Sequence, residues 1–391
     1  MDYRLTEDQE SFVTAFADFV DKEIVPRASD VEAAGVFPMD NYKRLAAFGY
    51  NGLLHEERYG GTNVDALTAT LAQVELARGC ASTFLSVGAS VGLFGVPVRE
   101  FASDEMKSEI LPGLVRGELV GAWALTEPHC GSDVAAMKTT ARKTDAGYVL
   151  SGSKMFITNG RYGDLYAIVC KTDSTAKPAY KGISIVIAEK GPGLTVVRDI
   201  PKLGYRGIET TELAFDGLRV LKSNLLGGVE GQGFQQVMRG LELGRVNVAA
   251  RAVGVARAAL ADSVRYAQQR HTFGKPIAQH QAIQQMLADM ATDVQAAHLL
   301  VVNAAEKMDR GERADLEAGM AKLYASEACL RVATQAMRIH GGVGYTQDLP
   351  IERYFRDAPL MIIGEGTSEI QRQVIARRLI EQYPGGDFLA S

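Results

Sequence analysis

Residues 123–133 read WALTEPHCGSD and stand where the periodicity of the chain changes. Before them, back to residue 6, apolar residues recur at steps of three and four, as on one face of an amphipathic helix. After them, short β-rich runs alternate with glycine, proline and aspartate, as antiparallel strands require. From residue 231 the chain is rich in alanine, arginine and glutamine and poor in proline, which indicates long helices.

These changes predict a multidomain α+β fold. The expected domains are an N-terminal helical domain over 1–120, a middle antiparallel β-barrel or sandwich over 121–230, and a C-terminal four-helix bundle over 231–391. A length of 391 residues also fits two or three hydrophobic cores better than one. Expected helices cover 6–24, 42–48, 66–78, 103–111, 232–268, 280–309, 314–340 and 368–382, and expected strands cover 148–150, 165–170, 183–187, 194–197 and 212–215.

Local signals mark the ends of the first and last helices. Thr6 and Gln9 have the spacing of a capping box, and Pro26 is expected to stop the helix that follows. Ser368 and Gln371 have the same spacing and predict a second capping box at the last helix.

Composition excludes several classes of protein. The chain is 47% hydrophobic and 23% charged with a formal net charge of -5, which is ordinary for a globular protein and unlike a nucleic-acid binder. No apolar run long enough to span a bilayer stands out, and the first residues, MDYRLTED, contain no signal-peptide core. We therefore expect a cytoplasmic enzyme, without membrane insertion and without a nucleic-acid partner.

Common metal and nucleotide motifs are missing from the sequence. The four cysteines form no CxxC pair and the six histidines form no HExxH, so neither a disulfide framework nor a metal site is expected. No Gly-x-Gly pair carries the third glycine of GxGxxG, and no GxxxxGK[ST] occurs. A nucleotide cofactor would therefore have to bind by a geometry other than a Rossmann or P-loop site.

Four clusters remain as candidates for a functional site. They read WALTEPHCGSD at 123–133, KMFITNG at 154–160, RHTFGKP at 270–276 and IGEGTSEIQ at 363–371. Each alone also has a structural interpretation: a domain-junction turn, a core phenylalanine, a helix C-terminal cap and a helix start. Single clusters therefore do not decide between a site and a structural element.

Glu365 fits a purely structural role least well. It stands between two glycines, directly after the apolar run 360–363. Glycine lets a ligand approach the backbone, and apolar neighbours raise the pKa of a carboxyl toward values useful for a general base. The residues alone thus make Glu365 a candidate base.

Taken together and in this order, the clusters closely resemble the motifs of the acyl-CoA dehydrogenase family over essentially the whole chain. They are similar to its A-x-T-E-P-x-x-G-S-D, W-I-T-N, R-x-T-F-G and E-G-T patterns, and IHGGVGY at 339–345 is similar to its I-x-G-G-x-G loop. The resemblance implies helical, β and helical domains assembled as a homotetramer. It also implies FAD as the cofactor, bound between the β domain, the C-terminal helices and a neighbouring subunit.

The resemblance assigns residues to cofactor and substrate by their motif positions. Those expected to contact FAD are Trp123, Leu125, Thr126, Gly131, Ser132, Phe156, Thr158, Arg270, Phe273, Gln281, Arg338, Gly341, Gly342, Thr367 and Glu369. Those expected to contact the acyl-CoA are Ser132, Glu242, Arg245 and Gly366. Two of these depart from the family: Phe156, which would stack on the isoalloxazine, replaces the usual tryptophan, and Arg338 stands where glutamine is common.

The reaction that the resemblance implies is α,β-dehydrogenation of an acyl-CoA to the trans-2-enoyl-CoA. Glu365 would remove the α proton while the β hydrogen leaves as hydride to flavin N5, and an electron-transferring flavoprotein would take the electrons. A flavin ribityl hydroxyl and the backbone N–H of the catalytic glutamate would stabilise the enolate oxygen. Some branches carry the base immediately before the arginine that matches Arg245. That position is Gly244 here, which leaves Glu365 as the base.

The helix over 81–98, expected to line the end of the acyl pocket, contains no charged residue. Because a buried carboxylate needs a cation, this favours a neutral short-to-medium or branched acyl chain over a dicarboxylyl one.

Three alternatives stay open. An acyl-CoA oxidase normally has an extra C-terminal domain, for which 391 residues leave no room. A desulfinase-like relative would lack the base. A silent scaffold or acyl-carrier-protein binder would bind no FAD.

Overall fold

The computed structural model describes residues 5–386, apart from the side chain of Glu242, as two helical parts with a curled β-sheet between them. The helices before the sheet are α1 Glu7–Phe19, α2 Ala28–Ala34, α3 Met39–Phe48, α4 Ala66–Gly79, α5 Ala81–Val87, α6 Gly95–Phe101 and α7 Asp104–Val115. The strands are β1 Gly121–Ala124, β2 Thr140–Thr144, β3 Gly147–Thr158, β4 Leu165–Lys171, β5 Ile183–Glu189, β6 Leu194–Asp199 and β7 Thr210–Leu221. The later helices are α8 Gly233–Gln269, α9 Gln281–Asp309, α10 Asp315–His340, α11 Ile351–Ile363 and α12 Ser368–Gln382, with a small hairpin, β8 His271–Thr272 and β9 Lys275–Pro276, after α8.

The predicted order of helical, β and helical parts is confirmed. The expected domain boundaries at residues 120 and 230 fall in the connections before β1 and before α8, and they stay a prediction.

The start of the first helix is as predicted, but its end is not. Thr6 Oγ1 accepts a hydrogen bond from the Gln9 N–H at 3.2 Å, and Gln9 Oε1 accepts one from the Thr6 N–H at 3.0 Å, which confirms the capping box. Pro26 does not stop the chain, which stays helical to Ala34 through a wide turn, Val20–Ile24, and a tight one, Val25–Arg27. Proline lies in the first turn of the tight segment, where a missing N–H costs nothing.

One helical stretch is an exception to the expectation that no apolar run is long enough to span a bilayer. Ala81–Phe101 combines α5, a wide turn Gly88–Phe94 and α6, and its 21 residues are long and apolar enough to cross a membrane. Within the protein, 83% of its most apolar window is buried. The stretch packs against β1, α4 and α8, so its composition is that of a core helix.

The sheet runs in the order β1-β4-β2-β3-β7-β6, and β5 also pairs with β4. It is not wholly antiparallel as predicted, because β1 and β4 pair in parallel with Trp123 opposite Ala167. A hairpin of β2 and β3 occupies the chain between these two strands and brings β4 back in the same direction as β1. The sequence analysis missed β1 and β2, and β1 places the first cluster at the sheet edge.

The second helical part is built on the long helices α8, α9 and α10, which bury a core dominated by alanine and valine. An unpredicted helix, α11, precedes the fourth cluster and packs on α10 and α8. Its last turn contains the apolar run 360–363, and the Gly364 N–H donates to the Leu360 carbonyl at 2.8 Å. The end of α11 therefore places Glu365 next to α8 and α10.

Candidate active site

Glu365 lies in a strained connection between α11 and α12. Its φ of 52° is left-handed, which is uncommon for a residue with a side chain, and Gly366 follows at 91°. Lys322 Nζ donates to the carbonyl oxygens of Ile362 at 3.2 Å and Gly366 at 2.6 Å. Gln371 Nε2 donates to the Gly366 carbonyl at 3.2 Å. These two side chains hold the connection in its strained form.

The cap of α12 differs from the prediction. Thr367, not Ser368, is the N-cap residue, and its Oγ1 accepts a hydrogen bond from the Ile370 N–H at 3.3 Å. Ser368 is buried in the first turn, and the Gln371 amide points to the Glu365–Gly366 carbonyls rather than closing a capping box. Threonine and serine are both good caps, so the sequence left a one-residue ambiguity.

The Glu365 carboxyl is poised for proton transfer. Burial raises its pKa to about 7, although the positive charges of Arg251 and Lys322 act to lower it. Its Oε2 is buried without a hydrogen-bond partner among the described residues and faces the backbone of Gly244 on α8. A carboxylate with a near-neutral pKa and a free oxygen can act as a general base.

The two cations beside Glu365 were missed by the sequence analysis. Lys322 on α10 is fully buried, and burial lowers its pKa to about 8. Arg251 on α8 is 2% exposed, and its guanidinium lies 5.1 Å from the centre of the Tyr205 ring and 5.8 Å from that of Phe84. Both stand far from Glu365 in sequence, and only helix packing brings them together.

The first two clusters meet beside the sheet. The Met155 N–H donates to the Thr126 carbonyl at 2.8 Å, and Lys154 Nζ donates to the Leu125 carbonyl at 2.8 Å. Lys154 also forms a buried ion pair with Glu127 at 2.9 Å. Burial acts to raise the pKa of Glu127, but Lys154 and the N–H groups of residues 138 and 139 outweigh it and lower the pKa to about 2.

Glu127 also belongs to a group of possible metal ligands. Its carboxylate, His129 and Cys130 offer ligand atoms within 4.8 Å of one another. However, Lys154 already neutralises this carboxylate, and backbone N–H groups take up its remaining acceptor sites. We assign the carboxylate a structural role, and the expectation of no metal site stays a prediction.

Phe156 projects from the sheet instead of joining its core. Its φ is 61°, the pairing of β3 with β7 shifts register between Lys154 and Ile157, and the side chain is 58% exposed. The core interpretation of Phe156 is therefore wrong. Thr158, two residues on, is half-buried. Among the expected cofactor residues of the first cluster, Trp123, Leu125 and Thr126 are half-buried, and Gly131 and Ser132 are exposed.

The remaining predicted cofactor residues lie on an exposed surface at the ends of α8, α9 and α10. Phe273 is 96% exposed with a φ of 51°, and Arg270, Gln281, Arg338, Gly341 and Gly342 are exposed as well. Arg338 donates to Gln335 Oε1 at 2.9 Å. Within residues 5–386, none of this set forms a hydrogen bond to the first two clusters.

The predicted residues around α8 and α12 are placed as follows. Arg245 is half-buried on α8, whereas the side chain of Glu242 lies outside the described residues. Gly366 and Thr367 border Glu365 directly, and Glu369 is exposed in the first turn of α12. The structure thus groups Glu365, Gly366 and Thr367 at the packed ends of α11 and α12.

Two adjoining cavities extend from the Glu365 side of α8. The first is lined by Trp123 and Gly244, among others, and shares Gly92 and Asn247 with the second. The second ends between α4 and the wide turn of Ala81–Phe101. No charged residue lines either cavity among the described residues.

Comparison with known proteins then decides the family. Acyl-CoA dehydrogenase domain models match three consecutive parts of the chain: the N-terminal domain at residues 6–118, the middle domain at 122–218 and the C-terminal domain at 231–380. The chain belongs to the acyl-CoA dehydrogenase family. It is accordingly an oxidoreductase that acts on acyl-CoA.

Individual acyl-CoA dehydrogenases are similar over almost the whole chain. An acyl-CoA dehydrogenase of Bacillus subtilis (strain 168) is 44% identical over 379 residues, which are 96% of this chain and 99% of that protein. The structure of butyryl-CoA dehydrogenase from Megasphaera elsdenii matches with a TM-score of 0.93 at 39% identity, covering 97% of this chain and 100% of that one. A structure of the electron transferring flavoprotein of Acidaminococcus fermentans matches with a TM-score of 0.94 at 40% identity over the same shares.

The family is FAD-dependent, and the solved structures that match include FAD complexes such as PigA with FAD and proline, at a TM-score of 0.93 and 30% identity, over 97% of this chain and 99% of that one. The residues of this acyl-CoA dehydrogenase fit such a group. Phe156 presents an exposed ring for stacking. Apart from adjoining residues of the chain, no heavy atom of residues 5–386 lies within 4 Å of where a Cβ would stand on Gly341 or Gly342. An aromatic platform and open glycines are what a flavin ring and a pyrophosphate require.

Proposed function

We propose that the protein dehydrogenates an acyl-CoA between its α and β carbons, with Glu365 as the base. The observation that carries this proposal is the buried Glu365 carboxyl, whose pKa burial raises to about 7 and whose Oε2 is unbonded among the described residues. A base of this pKa is about half deprotonated at pH 7 and keeps a high proton affinity. Removal of the α proton leaves an enolate, for which the backbone N–H of Glu365 is the proposed donor.

FAD, when bound, supplies the acceptor for the β hydride. We propose that Phe156 stacks on its ring, that Thr158 donates a hydrogen bond near the ring edge, and that Thr126 and Ser132 hold it from the first cluster. The Met155–Thr126 hydrogen bond supports this placement because it fixes the two clusters side by side. Trp123, Leu125, Gly131, Thr367 and Glu369 complete the proposed contacts of the cofactor within one chain.

The exposed surface at the ends of α8, α9 and α10 is proposed to meet the FAD of a neighbouring subunit in a homotetramer. Phe273 supports this because its side chain is 96% exposed on a left-handed backbone and its ring contacts only that of His280 among the described rings, edge to face, at 6.0 Å between ring centres. Arg270, Gln281, Arg338, Gly341 and Gly342 are the other residues of this proposed contact. Arg245 and Glu242 are proposed to bind the CoA part of the substrate, with Gly366 and Ser132 beside it.

An electron-transferring flavoprotein is the proposed electron acceptor, and the cytoplasm the proposed compartment. A similar chain occurs in a structure named for the electron transferring flavoprotein of Acidaminococcus fermentans, and this association supports the partner. The proposed acyl chain is uncharged and short-to-medium or branched. The uncharged lining of both cavities and the similarity to butyryl-CoA dehydrogenase support this choice.

The base is tested by Glu365→Gln, which keeps shape and hydrogen bonding but accepts no proton. After anaerobic mixing with butyryl-CoA, we expect the variant to stay yellow and to bind the ester, with flavin reduction slowed by at least about 10²–10⁴-fold. Glu381→Gln, at an exposed glutamate near the other end of α12, is the matched control and keeps its rate. Near-normal reduction in Glu365→Gln would move the search to Glu242, and a protein that binds no FAD would favour the scaffold alternative.

The acyl class is tested separately with the unmodified enzyme. We expect faster turnover of butyryl-CoA than of glutaryl-CoA with an artificial electron acceptor, because no cation of the described residues lines the cavities. A clear preference for the dicarboxylyl ester would contradict this part of the proposal alone.

A further inference from the structure

The cavity remote from Glu365 has a polar end. It shares Gly92 and Asn247 with the cavity beside Gly244, and its lining includes Asn51 and Gln73. A Cβ on Gly92 would lie 3.6 Å from Asn247 Nδ2, so glycine leaves open the space that a side chain would fill. The two cavities, of about 20 Å³ each, thus adjoin at these two residues, and the second one, called the chamber below, lies between α4, α8 and the Ala81–Phe101 stretch.

Three amide oxygens in this chamber are left without a hydrogen bond. They are Asn51 Oδ1, Gln73 Oε1 and Asn247 Oδ1, each buried without a partner among the described residues. Asn51 is 1% exposed and Gln73 is 8% exposed, so neither oxygen is satisfied by bulk water. Buried polar atoms are nearly always paired with a protein group, a ligand or a water, so three acceptors around one chamber can share a single small donor.

The orientation of Asn51 is fixed by its other amide atom. Nδ2 donates to the carbonyl oxygens of Tyr42 and Leu114, each at 3.5 Å, which leaves Oδ1 to face a different partner. The orphaned atoms are all acceptors, so the missing group is a donor. In the part of the chain that the structure describes, no acidic side chain lines the chamber, and an ammonium group would require one.

We propose that the chamber binds a hydroxyl near the distal end of the acyl chain, so that the preferred substrate is an uncharged hydroxyacyl-CoA. This rests on the proposed function, because the same chain must place its thioester at Glu365. Gln73, Asn247 and Asn51 are the proposed specificity-determining residues. An acyl chain ending in a methyl group would leave their oxygens unpaired and would be discriminated against.

The test compares isosteric pairs, in which a hydroxyl replaces a terminal methyl: 4-hydroxybutyryl- with pentanoyl-CoA, 5-hydroxypentanoyl- with hexanoyl-CoA, and 6-hydroxyhexanoyl- with heptanoyl-CoA. In the FAD-loaded enzyme, we expect the hydroxyl member of at least one pair to have a kcat/KM at least about 10-fold higher. In Glu365→Gln, which binds without turnover, the dissociation constants of that pair should differ in the same direction.

Two substitutions remove acceptors at nearly constant volume. Gln73→Met and Asn247→Leu should each reduce the hydroxyl preference by about 10-fold or reverse it, while turnover of the methyl member is kept or raised. Thr70→Val is the matched control, because Thr70 is buried on the same helix as Gln73 and does not line the cavity. Its hydroxyl preference should equal that of the unmodified enzyme.

The outcomes separate the two levels of proposal. Equal or faster turnover of the methyl member in every pair, or an unchanged preference in both Gln73→Met and Asn247→Leu, would overturn the hydroxyl inference and leave the dehydrogenase proposal standing. If no acyl-CoA in the panel reduces the flavin, the proposed function falls and this inference falls with it.

Discussion

Glu365 Oε2 lies so close to the Gly244 backbone that a Cβ at position 244 would overlap it. The identities of residues 365 and 244 therefore depend on each other, because the Glu365 carboxylate occupies the volume that any side chain at 244 would need. Because 244 is the position where some relatives are expected to carry their base, the structure explains in steric terms why glycine accompanies a glutamate at 365.

Gly244→Ala should displace the Glu365 carboxylate. We expect flavin reduction by butyryl-CoA to slow by about 10²-fold, because a base displaced by an ångström loses its alignment with the α proton. Stopped-flow absorbance at the flavin band measures this rate. Gly240→Ala is the control one turn earlier on α8, where a Cβ would stand at an ordinary 3.8 Å from Pro97 Cγ. Equal rates in the two variants would show that the contact at 244 is irrelevant.

The pH dependence of the reaction follows from the electrostatics of Glu365. Its carboxyl must be ionised to accept a proton, and its pKa is raised to about 7, so kcat/KM should rise with pH through about 7. Lys322→Met removes a positive charge that lowers this pKa and should move the rise upward by about one pH unit. Lys322→Arg keeps the charge and should restore most of the profile. A profile that does not move in Lys322→Met would contradict a role of this charge.

The buried pair of Lys154 and Glu127 should dominate the stability of the first two clusters. Glu127→Gln leaves the Lys154 ammonium buried without a counter-charge and should destabilise the protein by about 3–5 kcal/mol. Glu118→Gln, at a carboxylate whose ion pair with Arg116 is exposed, is the comparison and should leave the free energy of unfolding almost unchanged. Chemical denaturation of both variants measures the difference.

The same pair gives stability a defined pH dependence. The folded pKa of Glu127 is lowered from 4.5 to about 2, so the unfolded chain binds the proton more tightly. The stabilisation is thus complete above about pH 4.5 and is lost as the pH falls toward 2. The melting temperature of Glu127→Gln should accordingly fall less steeply over this range than that of the unmodified protein. Parallel slopes would exclude Glu127 as a source of the acid sensitivity.

Arg270→Ala tests the exposed surface at the ends of α8, α9 and α10. If Arg270 reaches the FAD of a neighbouring subunit, the variant should lose flavin or dissociate on dilution, as measured by flavin absorbance and light scattering. Arg265→Ala removes an exposed arginine on the same helix and should do neither. Full FAD occupancy of Arg270→Ala at low protein concentration would contradict the placement.

Features that depend on residues close together in the sequence could be predicted, and features that depend on distant residues could not. Helix periodicity and the Thr6–Gln9 capping box depend on neighbours in sequence, and both were predictable. The raised pKa of Glu365 was expected from its apolar neighbours, but in the structure it comes from burial of the carboxyl against α8. The parallel pairing of β1 with β4 and the presence of Lys322 and Arg251 beside Glu365 depend on residues tens or hundreds of positions apart. No local pattern marks a lysine on α10 as the residue that anchors a loop after α11.

Two local predictions failed for a physical reason as well. Pro26 is tolerated because the wide turn before it lets a new helical segment begin there. The shift of the α12 cap from Ser368 to Thr367 reflects two adjacent residues of nearly equal capping strength. In both cases the sequence permitted two backbone solutions, and packing chose between them.

The left-handed backbone at Glu365 has a consequence for the evolution of the chain. Glycine would relieve both the torsional strain and the burial of an unsatisfied carboxylate, so Glu365→Gly should yield an inactive protein with a higher melting temperature. Thermal stability and turnover thus favour different residues at position 365. A descendant that is no longer selected for activity would gain thermal stability if this glutamate were replaced by glycine. Such a substitution would be an unusual kind of inactivating change, because it stabilises the folded protein.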